Sequence, residues 1–190
     1  NSESLVDLID NRVGAKGTGL WTAQNALELG IAVPSLVAAV QARHLTNTKE
    51  THAAKEMTYA SKTTAKVKID LEELKQAFHL ASLLAYRQGL ALIKGASRSH
   101  QWKVDLGKTL QTWRAGCIIR ADYLDQIAQG VVFIDTLTSE SDALRKVSGL
   151  AIASGLAFPV LTASQTYLAT LTTQSNGHLV QAQRDYFGEH

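Results

Sequence analysis

The chain has 190 residues, of which 45% are hydrophobic, and these numbers suit a single domain with a substantial core. Its net charge is only +2 and its charged residues are scattered, which argues against a nucleic-acid-binding protein. The single cysteine, Cys117, excludes an internal disulfide and favours a reducing, cytoplasmic compartment, while every apolar run is too short to cross a bilayer.

Helical patterns follow one another along the chain, and signals for β-hairpins are nearly absent. Residues 5–10 have the pattern of the end of an incoming helix. Further helices are predicted at 19–30, 34–43 and beyond, 69–99, 106–129 with a distortion at 115–116, 139–154, 159–173 and 178–186. The segment 47–68 is rich in Thr, Lys and Ala, and we expect an exposed, weakly held connection there. The sequence therefore predicts an all-α, multi-helix domain of one unit, 1–190.

The helix at 69–99 has the clearest pattern in the chain. Its apolar residues recur at steps of three and four, and more than one of its faces is apolar. Asp70 followed three residues later by Glu73 is typical of a capping box at a helix start. At 1.5 Å per residue the helix would be roughly 45 Å long. We expect it to be the central helix, buried on most sides.

A glycine-rich segment, KGTG at 16–19, stands directly before a predicted helix. Glycines allow close approach of a ligand, and the free N–H groups of a helix N-terminus suit a phosphate. Lys16 adds a charge and Thr18 a hydroxyl donor. The alternative is a glycine-rich cap with a solvated lysine, and the pattern is not a Walker loop.

Arg43 follows an apolar stretch of the helix that begins at Pro34. A guanidinium at this place could bind a phosphate through two parallel hydrogen bonds. The alternative is an arginine whose stem lies along the protein while its head stays in water.

The segment WRAGCIIR at 113–120 combines aromatic, basic and small residues. We interpret it as helix packing, in which Ala115 and Gly116 let a neighbour approach while Trp113, Cys117 and Ile118 fill the core. Cys117 has no adjacent histidine and is not expected to be a nucleophile.

The last seven residues, RDYFGEH at 184–190, carry Arg184 and His190 around two aromatics and a glycine. The pattern favours a tail that docks on an anionic site, and the alternative is a frayed, solvated terminus. The other histidines lack metal-ligand spacing, so no metal site is predicted.

Three motifs, KGTGLW at 16–21, WRAGCIIR at 113–120 and QRDYFGEH at 183–190, occur in the order found in one family. By these motifs the chain resembles the C-terminal helical domain of 6-phosphogluconate dehydrogenase, over nearly its whole length. That family performs NADP-dependent oxidative decarboxylation of 6-phosphogluconate to ribulose 5-phosphate and CO2, in the pentose phosphate pathway and gluconate utilization.

The resemblance implies a substrate site on this chain. Lys16, Thr18 and Arg43 correspond to family residues that bind the substrate phosphate, and Arg184 and His190 to tail residues that bind substrate in the partner's site. It also implies a homodimer whose tail enters the neighbouring subunit. No catalytic residue is assigned to this chain, and neither a metal, a nucleic acid nor a membrane is expected as a partner.

The resemblance also implies a second domain outside residues 1–190. The nucleotide-binding Rossmann half, which binds most of the NADP and carries the general base and acid, is expected to precede this domain. Two other hypotheses remain open. The chain could be a non-catalytic helical dimerisation module that keeps the family fold, or part of another β-hydroxyacid dehydrogenase, although the QRDYFG motif argues against the latter.

Without a Rossmann GxGxxG motif, residues 1–190 alone are expected to have no dehydrogenase activity. A steady-state assay of this chain with 6-phosphogluconate and NADP should give no turnover. Measurable turnover would contradict the expectation that hydride transfer needs a second domain.

Overall fold

A computed structural model of the chain describes residues 5–9, 13–51, 67–128, 138–173 and 177–188, without the side chains of 6–7, 47–51 and 138. These residues form helices and turns with no strand, which confirms the all-α prediction. A short 3-10 helix, Leu5–Leu8, stands where the end of an incoming helix was predicted. The α-helices are α1 (Thr18–Glu28), α2 (Pro34–Thr51), α3 (Leu71–Ser99), α4 (Leu106–Thr112), α5 (Leu124–Ala128), α6 (Thr138–Ala153), α7 (Pro159–Thr172) and α8 (His178–Tyr186).

The core forms where the middle of α3 packs against α6 and α7. The buried side chains of this core belong to Ala77, Leu80, Ala81, Leu84, Leu144, Val147 and Leu168. Alternating leucines and alanines on α3 let α6 approach closely while still burying large apolar groups. The prediction of a central α3 is confirmed for this middle part, whereas residues at both ends of the helix are half-buried or exposed.

The start of α3 follows the predicted cap in part. The Asp70 carboxylate accepts hydrogen bonds from the backbone N–H groups of Glu72 and Glu73, at 2.9 and 3.0 Å. These bonds satisfy two of the donors that a helix start leaves open. The Glu73 side chain instead pairs with Lys146 of α6, and this hydrogen bond raises the pKa of Lys146. The first turn of α3 therefore carries both the helix cap and a contact to α6.

A buried polar group joins α2, α3 and α7. The Ser35 N–H donates to Oε1 of Gln88 at 2.9 Å, and Nε2 of Gln88 donates back to the Ser35 hydroxyl at 2.8 Å. The hydroxyls of Ser35 and Ser164 lie 2.9 Å apart in hydrogen-bond contact. Each of the three residues is at most 1% exposed. We call these residues the Ser35–Gln88–Ser164 triad.

α1 and α2 form a tight antiparallel hairpin. Gly30, at φ 64°, ends α1, and the following N–H of Ile31 reaches back to the Ala26 carbonyl at 2.8 Å. Gly19 of α1 lies so close to α2 that a Cβ there would stand 2.8 Å from Cγ2 of Val40. A Cβ at Gly95 of α3 would meet Ile31 at 2.9 Å, so the turn of the hairpin sits on α3.

Two boundary predictions are wrong. α2 continues through Thr51, so 47–51 are helical rather than part of a connection, because no glycine or proline interrupts the chain there. The rest of that connection, 52–66, lies outside the described residues.

The single helix predicted at 106–129 is broken. α4 ends at Thr112 and α5 begins at Leu124, with turns between them. Gly116 adopts φ 67° there, a left-handed conformation that a continuing α-helix cannot contain. The distortion expected at 115–116 is therefore a complete interruption.

The link between α3 and α4 contains backbone strain. Gln101 and Lys103 both have positive φ, 58° and 55°, although neither is glycine. The rings of His100 and Trp102 stack beside them with centroids 4.6 Å apart. The left-handed conformation costs a residue with a side chain about 1–2 kcal/mol. The surrounding structure must hold this link in place, and the strain lowers the free energy of unfolding.

Gln101→Gly should raise the free energy of unfolding by up to about 1 kcal/mol, because relief of the left-handed strain outweighs the extra freedom of the unfolded chain. Gln111→Gly, on an exposed turn of α4, is the matched control and should lower it by about 0.5–1 kcal/mol. Urea denaturation measures both. A loss of stability in Gln101→Gly would contradict the strain.

Gly19→Ala should lower the free energy of unfolding by about 1–2 kcal/mol, because its methyl group would collide with the stiff side chain of Val40. The double variant with Val40→Ala should recover stability relative to Val40→Ala alone. Gly149→Ala, at a helical glycine with open space around it, is the control and should be stabilising. A stabilising Gly19→Ala would show that the hairpin is not so closely packed.

Candidate functional site: the glycine loop and Arg43

The loop before α1 has a backbone that requires glycine. Gly17 caps α1 at φ 93°, and its carbonyl accepts the Trp21 N–H at 3.0 Å. The Trp21 ring lies against it, 3.3 Å from where a Cβ would stand. Gly17 offers no side chain to the free N–H groups of the first turn of α1, which leaves them available to an anion. Lys16 and Thr18 stand on either side of Gly17, and both are exposed.

Arg43 reaches this loop from α2. Its guanidinium donates a hydrogen bond to the Gly14 carbonyl, two residues before Lys16, and the side chain remains exposed. The hairpin explains this approach, because the N-terminal half of α1 packs beside the part of α2 that carries Arg43. The structure thus brings Arg43 to the loop of Lys16 and Thr18. One exposed patch holds two cations, a hydroxyl and a helix N-terminus, which is a chemistry suited to a phosphate.

Arg184 lies in the last turn of α8. No residue of α8 is buried, and α8 makes no extensive contact with another helix among the described residues. Leu179 is 81% exposed and Tyr186 84%, so this helix presents apolar as well as charged groups to the outside. His190 lies outside the described residues.

The segment 113–120 is a turn rather than packed helix. Ile118 is 100% exposed, which makes the prediction that it fills the core wrong. The Tyr86 hydroxyl donates to the Ile119 carbonyl, and Trp113 lies tilted against the Tyr86 ring with centroids 6.2 Å apart. Cys117 is half-buried nearby. Burial raises the pKa of Tyr86, with the nearby Tyr123 and Cys117 adding to the effect.

A histidine that the sequence left without a role has a defined partner. Nδ1 of His79 on α3 lies 3.0 Å from the carboxylate of Glu140 on α6, and the rings of His79 and Tyr123 form a T-shaped pair with centroids 5.2 Å apart. His79 and Glu140 are 61 residues apart in sequence, so no local pattern pointed to their contact. Their contact joins α3 to α6 beside the core.

The described ranges lack the features of a metal centre and of a membrane span. No group of three His, Cys, Asp or Glu side chains in them is arranged to hold a metal ion. No helix there combines the length and apolarity needed to span a bilayer.

Comparison with known proteins gives one family over the whole chain. A family model described as "6-phosphogluconate dehydrogenase, C-terminal domain" matches residues 1–190. The decarboxylating 6-phosphogluconate dehydrogenase of Lactococcus lactis subsp. cremoris (strain MG1363) is 32% identical over 208 residues, covering 98% of this chain and 43% of the relative. The chloroplastic decarboxylating enzyme 2 of Spinacia oleracea is 35% identical over 210 residues, covering 98% and 39%.

A solved structure agrees with these sequence matches. Plasmodium falciparum 6-phosphogluconate dehydrogenase superposes with a TM-score of 0.84 at 36% identity, over 98% of this chain and 44% of that enzyme. That enzyme has been solved in its apo form, with its cofactor NADP+ and with its substrate 6-phosphogluconate. The chain spans less than half the length of these relatives. Its helical fold, its three motifs and its matches from end to end place it in the 6-phosphogluconate dehydrogenase C-terminal domain family.

Proposed function

We propose that residues 1–190 act as the substrate-binding and dimerisation domain of an NADP-dependent, decarboxylating 6-phosphogluconate dehydrogenase. The complete enzyme converts 6-phosphogluconate to ribulose 5-phosphate and CO2 in the pentose phosphate pathway and gluconate utilization. The observation that carries the proposal is the hydrogen bond from Arg43 to the Gly14 carbonyl, which holds a guanidinium at the loop of Lys16 and Thr18.

In this proposal the loop and Arg43 bind the phosphate of the substrate. The Lys16 ammonium and the Arg43 guanidinium neutralise a dianion, while the Thr18 hydroxyl and the N–H groups at the start of α1 donate hydrogen bonds. The Arg43 guanidinium keeps donors beyond the one that Gly14 accepts. The role of this chain is to bind and orient the substrate, and no proton or hydride transfer is assigned to its residues.

The tail completes the site of a second subunit. Arg184 and His190 contribute to the partner's pocket in this proposal, which makes the enzyme a homodimer. The exposed apolar side chains of α8 support this part, because an apolar helix surface is stabilised when another surface covers it. Arg184 then joins Lys16 and Arg43 of the neighbouring subunit around one phosphate.

The cofactor NADP belongs to another part of the complete enzyme. The described residues offer no strand followed by a glycine-rich turn and a helix, the unit that holds a dinucleotide pyrophosphate. We therefore assign NADP mainly to an N-terminal domain, where it accepts the hydride. We also propose the cytoplasm as the compartment, because a single cysteine suits a reducing environment. The spinach relative is chloroplastic.

Arg43→Ala and Arg184→Ala in the complete enzyme should each weaken 6-phosphogluconate binding about ten- to a hundred-fold, since each removes one charge-assisted hydrogen-bond donor. Titration calorimetry with 6-phosphogluconate measures the dissociation constant. Arg145→Ala, which removes an exposed arginine paired with Asp142 within α6, is the matched control and should bind like the wild type. Unchanged affinity in both test variants would remove them from the site and favour a non-catalytic dimerisation module.

Mixed dimers show whether Arg184 acts in the site of its own subunit or in that of its partner. When one subunit carries Arg43→Ala and the other Arg184→Ala, one site lacks both arginines and the other site keeps both. About half of the sites should then bind with wild-type affinity, because the two changes fall in the same site. A mixed dimer with two weakened sites would place Arg184 in the site of its own subunit.

A further inference from the structure

The Ser35–Gln88–Ser164 triad lies at the point where α2, α3 and α7 meet. The orientation of the Gln88 side-chain amide follows from its partner, because a backbone N–H can only donate a hydrogen bond. The Ser35 N–H must face Oε1 of Gln88, which turns Nε2 toward the Ser35 hydroxyl. All of these bonds are between 2.8 and 2.9 Å. The three partners therefore satisfy one another in a single relative placement of the helices.

Polar groups in such a place need an explanation beyond stability. Apolar side chains of similar volume would fill the same junction without the penalty of burying hydroxyl and amide groups. A satisfied buried network instead selects one register, because sliding α2 by one residue would leave every member without its partner. The triad determines where α2 stands on α3 and α7 more sharply than apolar contacts alone.

α2 is also the helix that carries Arg43. Ser35 is in the first turn of α2, and Arg43 lies eight residues further, about 12 Å along the axis at 1.5 Å per residue. A tilt of α2 of about 5° around the triad would therefore displace the Arg43 end by roughly 1 Å, an error that can weaken a positioned contact strongly.

The glycine loop follows α2 as well. The loop is tied to Arg43 through the Gly14 carbonyl, and α1 is packed onto α2 where Gly19 meets Val40. A displacement of α2 thus moves the loop of Lys16 and Thr18 relative to the rest of the domain. The position of the whole cationic patch depends on how α2 is anchored.

We propose that the Ser35–Gln88–Ser164 triad is a positioning device for the phosphate site. Gln88, Ser35 and Ser164 are positioning residues: they act on the substrate through α2, Arg43 and the loop. This inference rests on the proposed function and adds to it residues that lie inside the domain, away from the exposed patch.

Gln88→Met in the complete enzyme removes both side-chain hydrogen bonds at nearly constant volume. It should raise the dissociation constant and the KM for 6-phosphogluconate about three- to ten-fold, while kcat changes less than two-fold, because binding geometry is altered and the reacting groups are not. Val147→Ala, in the core that includes α3 and α6, keeps all three triad residues and is the control for a general loss of stability. It should leave both constants unchanged at a temperature where all variants are folded.

Ser164→Ala is the milder variant and decides the question even where Gln88→Met does not fold. It keeps both bonds between Ser35 and Gln88 and removes only the hydroxyl contact to α7. The dissociation constant should rise about two-fold, which corresponds to part of the value of one hydrogen bond. An affinity equal to that of Val147→Ala would overturn the inference.

The combination with Arg43→Ala separates the two proposals. Since the triad acts in part through Arg43, the losses of affinity in Gln88→Met and Arg43→Ala should be less than additive in the double variant, and additive losses would overturn the positioning role. Wild-type affinity in Arg43→Ala would refute the proposed phosphate site itself. If Arg43→Ala binds 6-phosphogluconate weakly while Gln88→Met binds it as tightly as Val147→Ala does, only the positioning role is refuted.

Discussion

The burial of the middle of α3 is the constraint on which the other features of the domain depend. Leu80 and Leu84 are almost completely removed from water, and each such leucine contributes about 1.5–3 kcal/mol relative to an exposed one. Ala77 and Ala81 keep the surface between them flat, which lets α6 and α7 lie close. Because this core uses only the middle of a helix of 29 residues, both ends of α3 extend beyond it and carry other elements.

The two ends of α3 support different arrangements. Toward the C-terminus, Gln88 binds α2 and Gly95 accommodates the turn between α1 and α2, so this end positions the glycine loop and Arg43. Toward the N-terminus and the middle, His79 pairs with α6 and Tyr86 holds the turn between α4 and α5. The candidate site is therefore placed by a rigid core, although the residues that form it are exposed.

The features that could be predicted from local sequence are those held by contacts between residues close together in the chain. The start of α3 at Asp70 depends on bonds over two and three residues, and the sequence predicted it. Gly116, a local signal, predicted a distortion between α4 and α5. The contact of Tyr86 with the Ile119 carbonyl, 33 residues away, was beyond what periodicity could detect. For the site, the KGTG segment singled out the loop, and the family resemblance singled out Arg43. Their junction at the Gly14 carbonyl, and the triad that anchors α2, became visible only in the folded chain.

The length of α8 gives a physical reason for linking substrate binding to assembly. α8 has nine residues, whereas an isolated helix shorter than about 12–15 residues is marginal in water, so its stability must come from packing. Its own protomer buries none of its residues. In the proposed dimer the neighbouring subunit supplies that packing, and the covered helix brings Arg184 to the phosphate. Whatever binds at the phosphate site then stabilises α8 on its partner, and the covered α8 strengthens binding in return, since each contact favours the same assembled state.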